Sequence, residues 1–129
     1  THDQSSAASD VYKRQEYISE KLNLPYNTVD FVFHGGSGSS IEEIRESIGY
    51  GVIKMNIDTD LQFAFTEGIR DYMVDNIDYL KKQIGNPEGS DVPNKKFYDP
   101  RKWLREGELT FNRRLKKAFE DLNNVNTLD

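Results

Sequence analysis

The sequence predicts an α/β fold in which parallel strands alternate with helices. Two apolar runs, residues 31–34 and 52–57, end abruptly in polar or glycine residues, as buried strands do where they deliver side chains to a site. A segment with helical spacing of apolar residues follows each run. The order strand, helix, strand, helix is typical of right-handed βαβ units, and 129 residues suffice for one ordinary domain.

The first helix is predicted over residues 16–22, where the polar sequence carries one apolar side, and Pro25 lies beyond its end. The apolar side consists of Tyr17, Ile18 and Leu22.

A strand, a helix and a second strand are predicted next. The first strand covers residues 29–34 and the second covers residues 52–57. Between them, Ser40 and Glu43 have the spacing of a capping box, in which each residue satisfies a backbone N–H of the other. Apolar residues continue at helical spacing from there until Gly49.

The second half is predicted to be a helix, a long loop and a helical C-terminal segment. The helix covers residues 61–73, and its apolar face is wide enough to pack on a sheet. Residues 85–101 are rich in Pro, Gly and charge and are predicted to form a loop. Apolar residues at near-helical spacing then run from 103 to 125, on both sides of Gly107. The basic residues Arg113, Arg114, Lys116 and Lys117 are interpreted as a solvated face.

The N-terminal segment differs from the rest. Residues 5–15 show no apolar period and resemble the translation of a transposase sequencing adapter. That resemblance implies that residues 1–15 are adapter-derived, and an ordinary disordered terminus is the alternative. Because two βα units leave a sheet open at both edges, the remaining residues are expected to belong to a larger α/β domain whose earlier strands are missing. Pairing with other copies of the chain is the alternative.

Composition argues against several partners. The net charge of −5 provides no diffuse basic field, so neither nucleic acid nor an anionic membrane is an expected partner. No apolar run approaches the roughly 18 residues that a membrane span requires. The chain has no cysteine, which excludes disulfides and thiolate metal ligands.

Polar side chains follow both predicted strands. Strand alternation places His34 at the end of the first strand, and Asn56 and Asp58 share one face at the end of the second. In a parallel barrel these three side chains would converge at the carboxyl-terminal mouth. A lone strand-end histidine is also common as a satisfied core residue, so His34 alone does not define a site.

The glycine-rich loop is a candidate phosphate cradle. Residues 35–39 can bring several backbone N–H groups to one point, and the following helix adds its positive end. The loop lacks the Gly-Lys-Ser/Thr ending of a nucleoside-triphosphate P-loop. A flexible βα connection is the alternative for the loop, and a helix N-cap is the alternative for Asp58, Thr59 and Asp60.

Three ordered motifs together resemble the C-terminal part of class II, metal-dependent fructose-bisphosphate aldolases of the longer subfamily. They are HGGSGS at residues 34–39, KMNIDTD at residues 54–60 and NPEGSDVPNKKFYDPRKWLR at residues 86–105. The resemblance implies a (β/α)₈ TIM barrel, of which residues 16–129 would form the last two βα units and the C-terminal helices.

The resemblance also implies site roles. His34 would be one of three histidines that hold a catalytic Zn²⁺, and Asn56 would hydrogen-bond the enediolate. Arg101 would bind the second phosphate of the sugar bisphosphate across a homodimer interface. The binding site for the phosphate of dihydroxyacetone phosphate, with Na⁺ or K⁺ nearby, would comprise Gly35, Gly36, Ser37, Ile57, Asp58 and Thr59.

The implied reaction is reversible cleavage of fructose 1,6-bisphosphate by a cytoplasmic enzyme of glycolysis and gluconeogenesis. Because the other metal ligands are absent, this chain is expected to be inactive alone. A tagatose-bisphosphate aldolase and a non-catalytic phosphate-binding fragment are alternatives. Another is a Schiff-base mechanism through Lys54, because a buried lysine can lose its proton and become nucleophilic.

Overall fold

A computed structural model describes residues 7–128 of the chain. These residues divide into two compact units, the first formed by residues 7–59 with 117–128 and the second by Asp60–Lys116. No helix in the described range is both long enough and apolar enough to cross a bilayer.

A two-stranded parallel sheet lies in the first unit. Its strands are β1 (Phe31–Phe33) and β2 (Val52–Met55), with Val32 opposite Lys54. The predicted βαβ unit is therefore present, although both strands are shorter than expected. They end early because the chain turns into the glycine loop after β1 and approaches the start of a helix after β2.

The helix between the strands, α2 (Ile41–Gly49), confirms the predicted capping box. Ser40 Oγ accepts a hydrogen bond from Glu43 N at 3.2 Å, and Ser40 N donates to Glu43 Oε2 at 3.0 Å. Ile44 and Ser47 are the buried residues of this helix. The local cap thus fixes where the chain leaves the glycine loop and starts α2.

The first helix, α1 (Ala7–Leu22), is much longer than predicted. Tyr17 and Leu22 were expected on its packed side, but each is 62% exposed. The buried side is instead a mixed stripe of Ala8, Val11, Gln15 and Ser19 at helical spacing, which an apolar pattern does not reveal. Residues 7–15 therefore make buried contacts that their sequence did not predict. Residues 1–6 lie outside the described range, and the adapter origin of residues 1–15 stays a prediction.

Two long helices pack together through the parts of them that lie in the second unit. They are α3 (Thr59–Asp75), which includes the predicted helix over residues 61–73, and α6 (Pro100–Asp121). The predicted helical C-terminal segment is confirmed, and α6 continues through Gly107. A Cβ atom at Gly107 would lie 2.9 Å from Phe65 Cε2, so this glycine permits close helix packing.

The prediction of a loop over residues 85–101 is wrong for most of that range. A short helix α4 (Ile77–Leu80) leads into the antiparallel hairpin of β3 (Ile84–Asn86) and β4 (Gly89–Pro93), followed by α5 (Lys95–Tyr98). The fully buried Asn94 organises this segment. Its Nδ2 donates to Lys82 O at 2.8 Å and Gly85 O at 3.0 Å, while its Oδ1 accepts from Asn86 Nδ2 at 2.7 Å. Polar bonds therefore shape a segment that has no apolar period.

One member of the basic cluster is not solvated as predicted. Arg114 Nη2 lies 2.9 Å from Asp60 Oδ2, and the two side chains are 26% and 33% exposed. Asp60 therefore joins an ion pair within the second unit.

Candidate active site

Two polar side chains meet at the carboxyl ends of β1 and β2. Asn56 Nδ2 lies 2.8 Å from His34 Nδ1. The parallel register pairs Val32 with Lys54, so the residues two positions further along point to the same face. The expected convergence of His34 and Asn56 is thus present, while their chemical roles stay predictions.

The backbone ties the glycine loop to the end of β2. Asn56 N donates to Phe33 O at 3.0 Å, and Gly36 N donates to Asn56 O at 3.0 Å. A Cβ atom at Gly36 would lie 2.6 Å from Met55 Sδ, so only glycine fits at this position without a shift. The N–H of Gly36 is therefore already donated within the protein. The closeness of Gly36 to Met55 gives this residue a packing role.

Two other glycines allow the backbone conformation of this loop. Gly35 has φ +73° and Gly38 has φ +80°, in the left-handed region that residues with a side chain rarely adopt. A Cβ at either position would have no neighbour within 4 Å. The backbone at Gly35 therefore borders open space next to His34, as a loop that approaches a ligand must.

The remaining candidate residues of the first unit follow β2. Ile57 is half-buried, whereas Asp58 and Thr59 are exposed, and α3 begins at Thr59. The N-terminus of a 17-residue helix carries partial positive charge from its unpaired N–H groups. The two adjacent strand ends thus combine a glycine loop, a helix start and the His34–Asn56 pair.

Arg101 belongs to the second unit, near the start of α6. Its side chain is 86% exposed, and its Nε and Nη2 lie 3.0 Å and 2.6 Å from the two carboxylate oxygens of Asp99. The hydrogen bonds from the Arg101 side chain and backbone lower the pKa of Asp99 to about 2. Asp99 therefore stays ionised at neutral pH. Sequence reasoning missed it, although an Asp-Pro pair before a helix is a recognisable N-cap signal.

The described residues offer few metal ligands. Between residues 7 and 128, no group of three His, Asp or Glu side chains is arranged to hold a metal ion. His34 is exposed and has a second ring nitrogen besides the one near Asn56. Lys54, the candidate Schiff-base nucleophile, is also exposed.

Comparisons with known proteins identify the class. The sequence profile of the family described as fructose-bisphosphate aldolase class-II matches residues 7–127. Fructose-bisphosphate aldolase class 2 of Escherichia coli K12 is 57% identical over 114 residues, which are 88% of this chain and 32% of that protein. The fructose-bisphosphate aldolase of Haemophilus influenzae is 60% identical, with the same coverage.

A solved structure agrees with these matches. The crystal structure of fructose-bisphosphate aldolase from Campylobacter jejuni superposes with a TM-score of 0.81 at 52% identity, covering 92% of this chain and 34% of that one. The fold is therefore part of that of a class II aldolase. The chain belongs to the class-II fructose-bisphosphate aldolase family. It spans about a third of the length of the relatives that it matches.

Proposed function

We propose that the complete protein containing this sequence catalyses the reversible, zinc-dependent aldol cleavage of fructose 1,6-bisphosphate. The products are dihydroxyacetone phosphate and glyceraldehyde 3-phosphate. The 2.8 Å contact between His34 and Asn56 carries the proposal, because it brings a metal ligand type and an amide donor together beside a glycine loop. The identity of 57–60% with proteins named fructose-bisphosphate aldolase supports it.

We further propose that the chain forms the last two βα units and the C-terminal helices of a (β/α)₈ barrel. The parallel pairing of β1 with β2 and the helix that follows each strand support this placement. In such barrels, the carboxyl ends of the strands form the active site. His34 and Asn56 both follow strand ends of this kind.

His34 fits the role of one zinc ligand. Its imidazole is of a type that suits Zn²⁺, it is exposed, and the contact with Asn56 involves only one of its ring nitrogens. If Nε2 bound the zinc, Nδ1 would carry the proton and would need an acceptor. Asn56 would then turn its Oδ1 toward that N–H and keep Nδ2 for the substrate. The further ligands would come from outside residues 7–128. Bound zinc would supply a Lewis acid that polarises the substrate ketone.

The residues of this chain would bind the substrate and stabilise developing charge. The amide of Asn56 would donate to the oxygen that becomes negative during cleavage. Arg101 would bind the second phosphate. The first phosphate, with a monovalent cation nearby, would lie against the loop and the helix start, at Gly35, Gly36, Ser37, Ile57, Asp58 and Thr59. Gly36 would contribute there by letting the loop pack closely against Met55, because its N–H is already donated to Asn56 O.

A chimera tests the proposal directly. Residues 16–129 would replace the matching third of the Haemophilus influenzae aldolase, which is 60% identical over the aligned region. We expect cleavage of fructose 1,6-bisphosphate that is lost with a chelator and restored by zinc. The 129-residue chain alone is expected to show no cleavage, because His34 is the one histidine among its described residues.

Other results would point to the alternatives. A folded chimera with no aldolase activity would contradict the proposal, and phosphate binding by the chain alone without zinc would favour a phosphate-binding fragment. A higher kcat/KM for tagatose 1,6-bisphosphate would reassign the substrate. Borohydride trapping of substrate on Lys54 would indicate the Schiff-base route.

A further inference from the structure

A single carboxylate, that of Asp99, makes two kinds of contact at the start of α6. Its Oδ1 accepts from the backbone N of Arg101 at 3.0 Å, which is the hydrogen bond of a helix N-cap. The backbone ψ of Asp99 is 121°, an extended conformation that is expected for an N-cap residue before a proline. Pro100 then occupies the first helical position, where its missing N–H costs nothing.

The same carboxylate also holds the guanidinium of Arg101. Oδ1 accepts from Nε at 3.0 Å and Oδ2 accepts from Nη2 at 2.6 Å, so both oxygens are used. The Asp99 side chain is only 15% exposed, whereas that of Arg101 is 86% exposed. A long, solvated arginine is thus attached to a short side chain that is fixed in the helix start.

The contact uses one edge of the guanidinium and leaves the other available. A guanidinium has a side edge formed by Nε and one terminal nitrogen, and an end edge formed by the two terminal nitrogens. Asp99 takes the side edge. The end edge can still bind two oxygens of a phosphate, in the bidentate geometry that arginine favours.

We propose that Asp99 is a positioning residue for Arg101, holding the guanidinium by its side edge so that its end edge is presented to the second phosphate of the substrate. This inference rests on the proposed function for the identity of the anion. It assigns to Asp99 a role beyond the N-cap. Without the carboxylate, the guanidinium would have to be ordered when the substrate binds, and that entropy loss would weaken binding.

The cap and the contact with the guanidinium can be separated by mutation. Serine is about as good an N-cap as aspartate, so Asp99→Ser keeps the hydrogen bond to the helix backbone. Its hydroxyl is too short and too limited in acceptors to engage both Nε and Nη2. Asp91→Ser is a matched control, because Asp91 is an exposed aspartate in strand β4 of the same unit.

The first measurement uses the 129-residue chain itself and requires no activity. Steady-state ¹⁵N–¹H NOE values of the Arg101 Nε–H group report how ordered the guanidinium is. We expect a clearly lower NOE value for the Arg101 Nε–H group in Asp99→Ser and an unchanged value in Asp91→Ser. Helix content by circular dichroism should be unchanged in both variants. An Arg101 signal as ordered in Asp99→Ser as in the parent would overturn the proposal.

The second measurement uses the chimera described above. Asp99→Ser is expected to raise the KM for fructose 1,6-bisphosphate about 10-fold, leave kcat nearly unchanged and spare proton exchange on dihydroxyacetone phosphate. In an Arg101→Ala background, Asp99→Ser should have no further effect. If Asp99→Ser still raised the KM in the Arg101→Ala background, the role of Asp99 would be merely structural. The same would follow if Asp99→Ser impaired cleavage and proton exchange equally. Inactivity of the parent chimera would instead contradict the proposed function and remove the basis for this assignment.

Discussion

His34 is the residue on which the metal assignment depends, and its placement makes a direct prediction. In the chimera, His34→Ala should abolish zinc-dependent turnover and lower the bound zinc per subunit. The fold should persist, because the side chain is exposed at a strand end and contributes little to a core. Metal analysis and circular dichroism together measure both effects. Ser39→Ala, a change in the same loop, serves as the control, and normal zinc content in His34→Ala would exclude a ligand role.

Arg101 is predicted to matter for one half of the substrate. In the chimera, Arg101→Ala should lower kcat/KM for fructose 1,6-bisphosphate by about 10²-fold, because a charge-assisted contact to the second phosphate is lost. Proton exchange on dihydroxyacetone phosphate, which has no second phosphate, should be spared. Lys102→Ala removes the neighbouring exposed cation and controls for general charge effects. An equal loss in both reactions would disprove the two-phosphate assignment.

At the scale of elements, α1 can be tested through Gln15. This side chain is fully buried, and its Nε2 donates to Val29 O at 2.6 Å, just before β1. Gln15→Ala should lower the free energy of unfolding by about 1–3 kcal/mol, because it leaves that carbonyl unpaired. Lys13→Ala, at an exposed position of the same helix, should change it by less than about 0.5 kcal/mol.

Chemical denaturation of the parent and both variants gives these free energies. If Gln15→Ala were neutral, α1 would not pack as described, and the case for an adapter-derived segment over residues 1–15 would be stronger.

The contact between α3 and α6 depends on Gly68. A Cβ atom there would overlap Glu106 O and Thr110 Oγ1, so a side chain would force the helices apart. Although alanine is the better helix former, Gly68→Ala should destabilise the chain by about 1–3 kcal/mol. At Gly49, a Cβ would meet nothing within 4 Å, so Gly49→Ala should be neutral or stabilising. Unfolding by urea measures both, and a stabilising Gly68→Ala would contradict the helix contact.

Elements defined by local patterns were predictable from the sequence. The capping box of Ser40 and Glu43 and the strand alternation behind the His34–Asn56 pair depend on neighbours a few residues apart. Elements held by buried polar groups were not predictable from the sequence. Asn94 shapes a hairpin through bonds to carbonyls, which leave no trace in an apolar period. The early start of α1 was missed for the same reason, since Gln15 and Ser19 are polar but buried.

At the scale of the whole molecule, the homodimer that the sequence resemblance implies can be tested by complementation. If Arg101 acts across the interface, chimeras with His34→Ala and with Arg101→Ala should form heterodimers in which one site has both defects and the other has neither. We expect activity on mixing that exceeds that of either variant. No rescue, under conditions where heterodimers demonstrably form, would contradict a shared site.

The short parallel sheet has a consequence for handling the chain alone. Among the described residues, β1 and β2 pair only with each other, so each strand has a free edge. Val32 and Ile53, one on each strand, are 47% and 68% exposed. Unpaired edges with apolar side chains are templates for association between chains, and a net charge of −5 opposes this only weakly at high salt. The isolated chain should therefore be purified dilute and at low ionic strength, or joined to the segment that covers these strands.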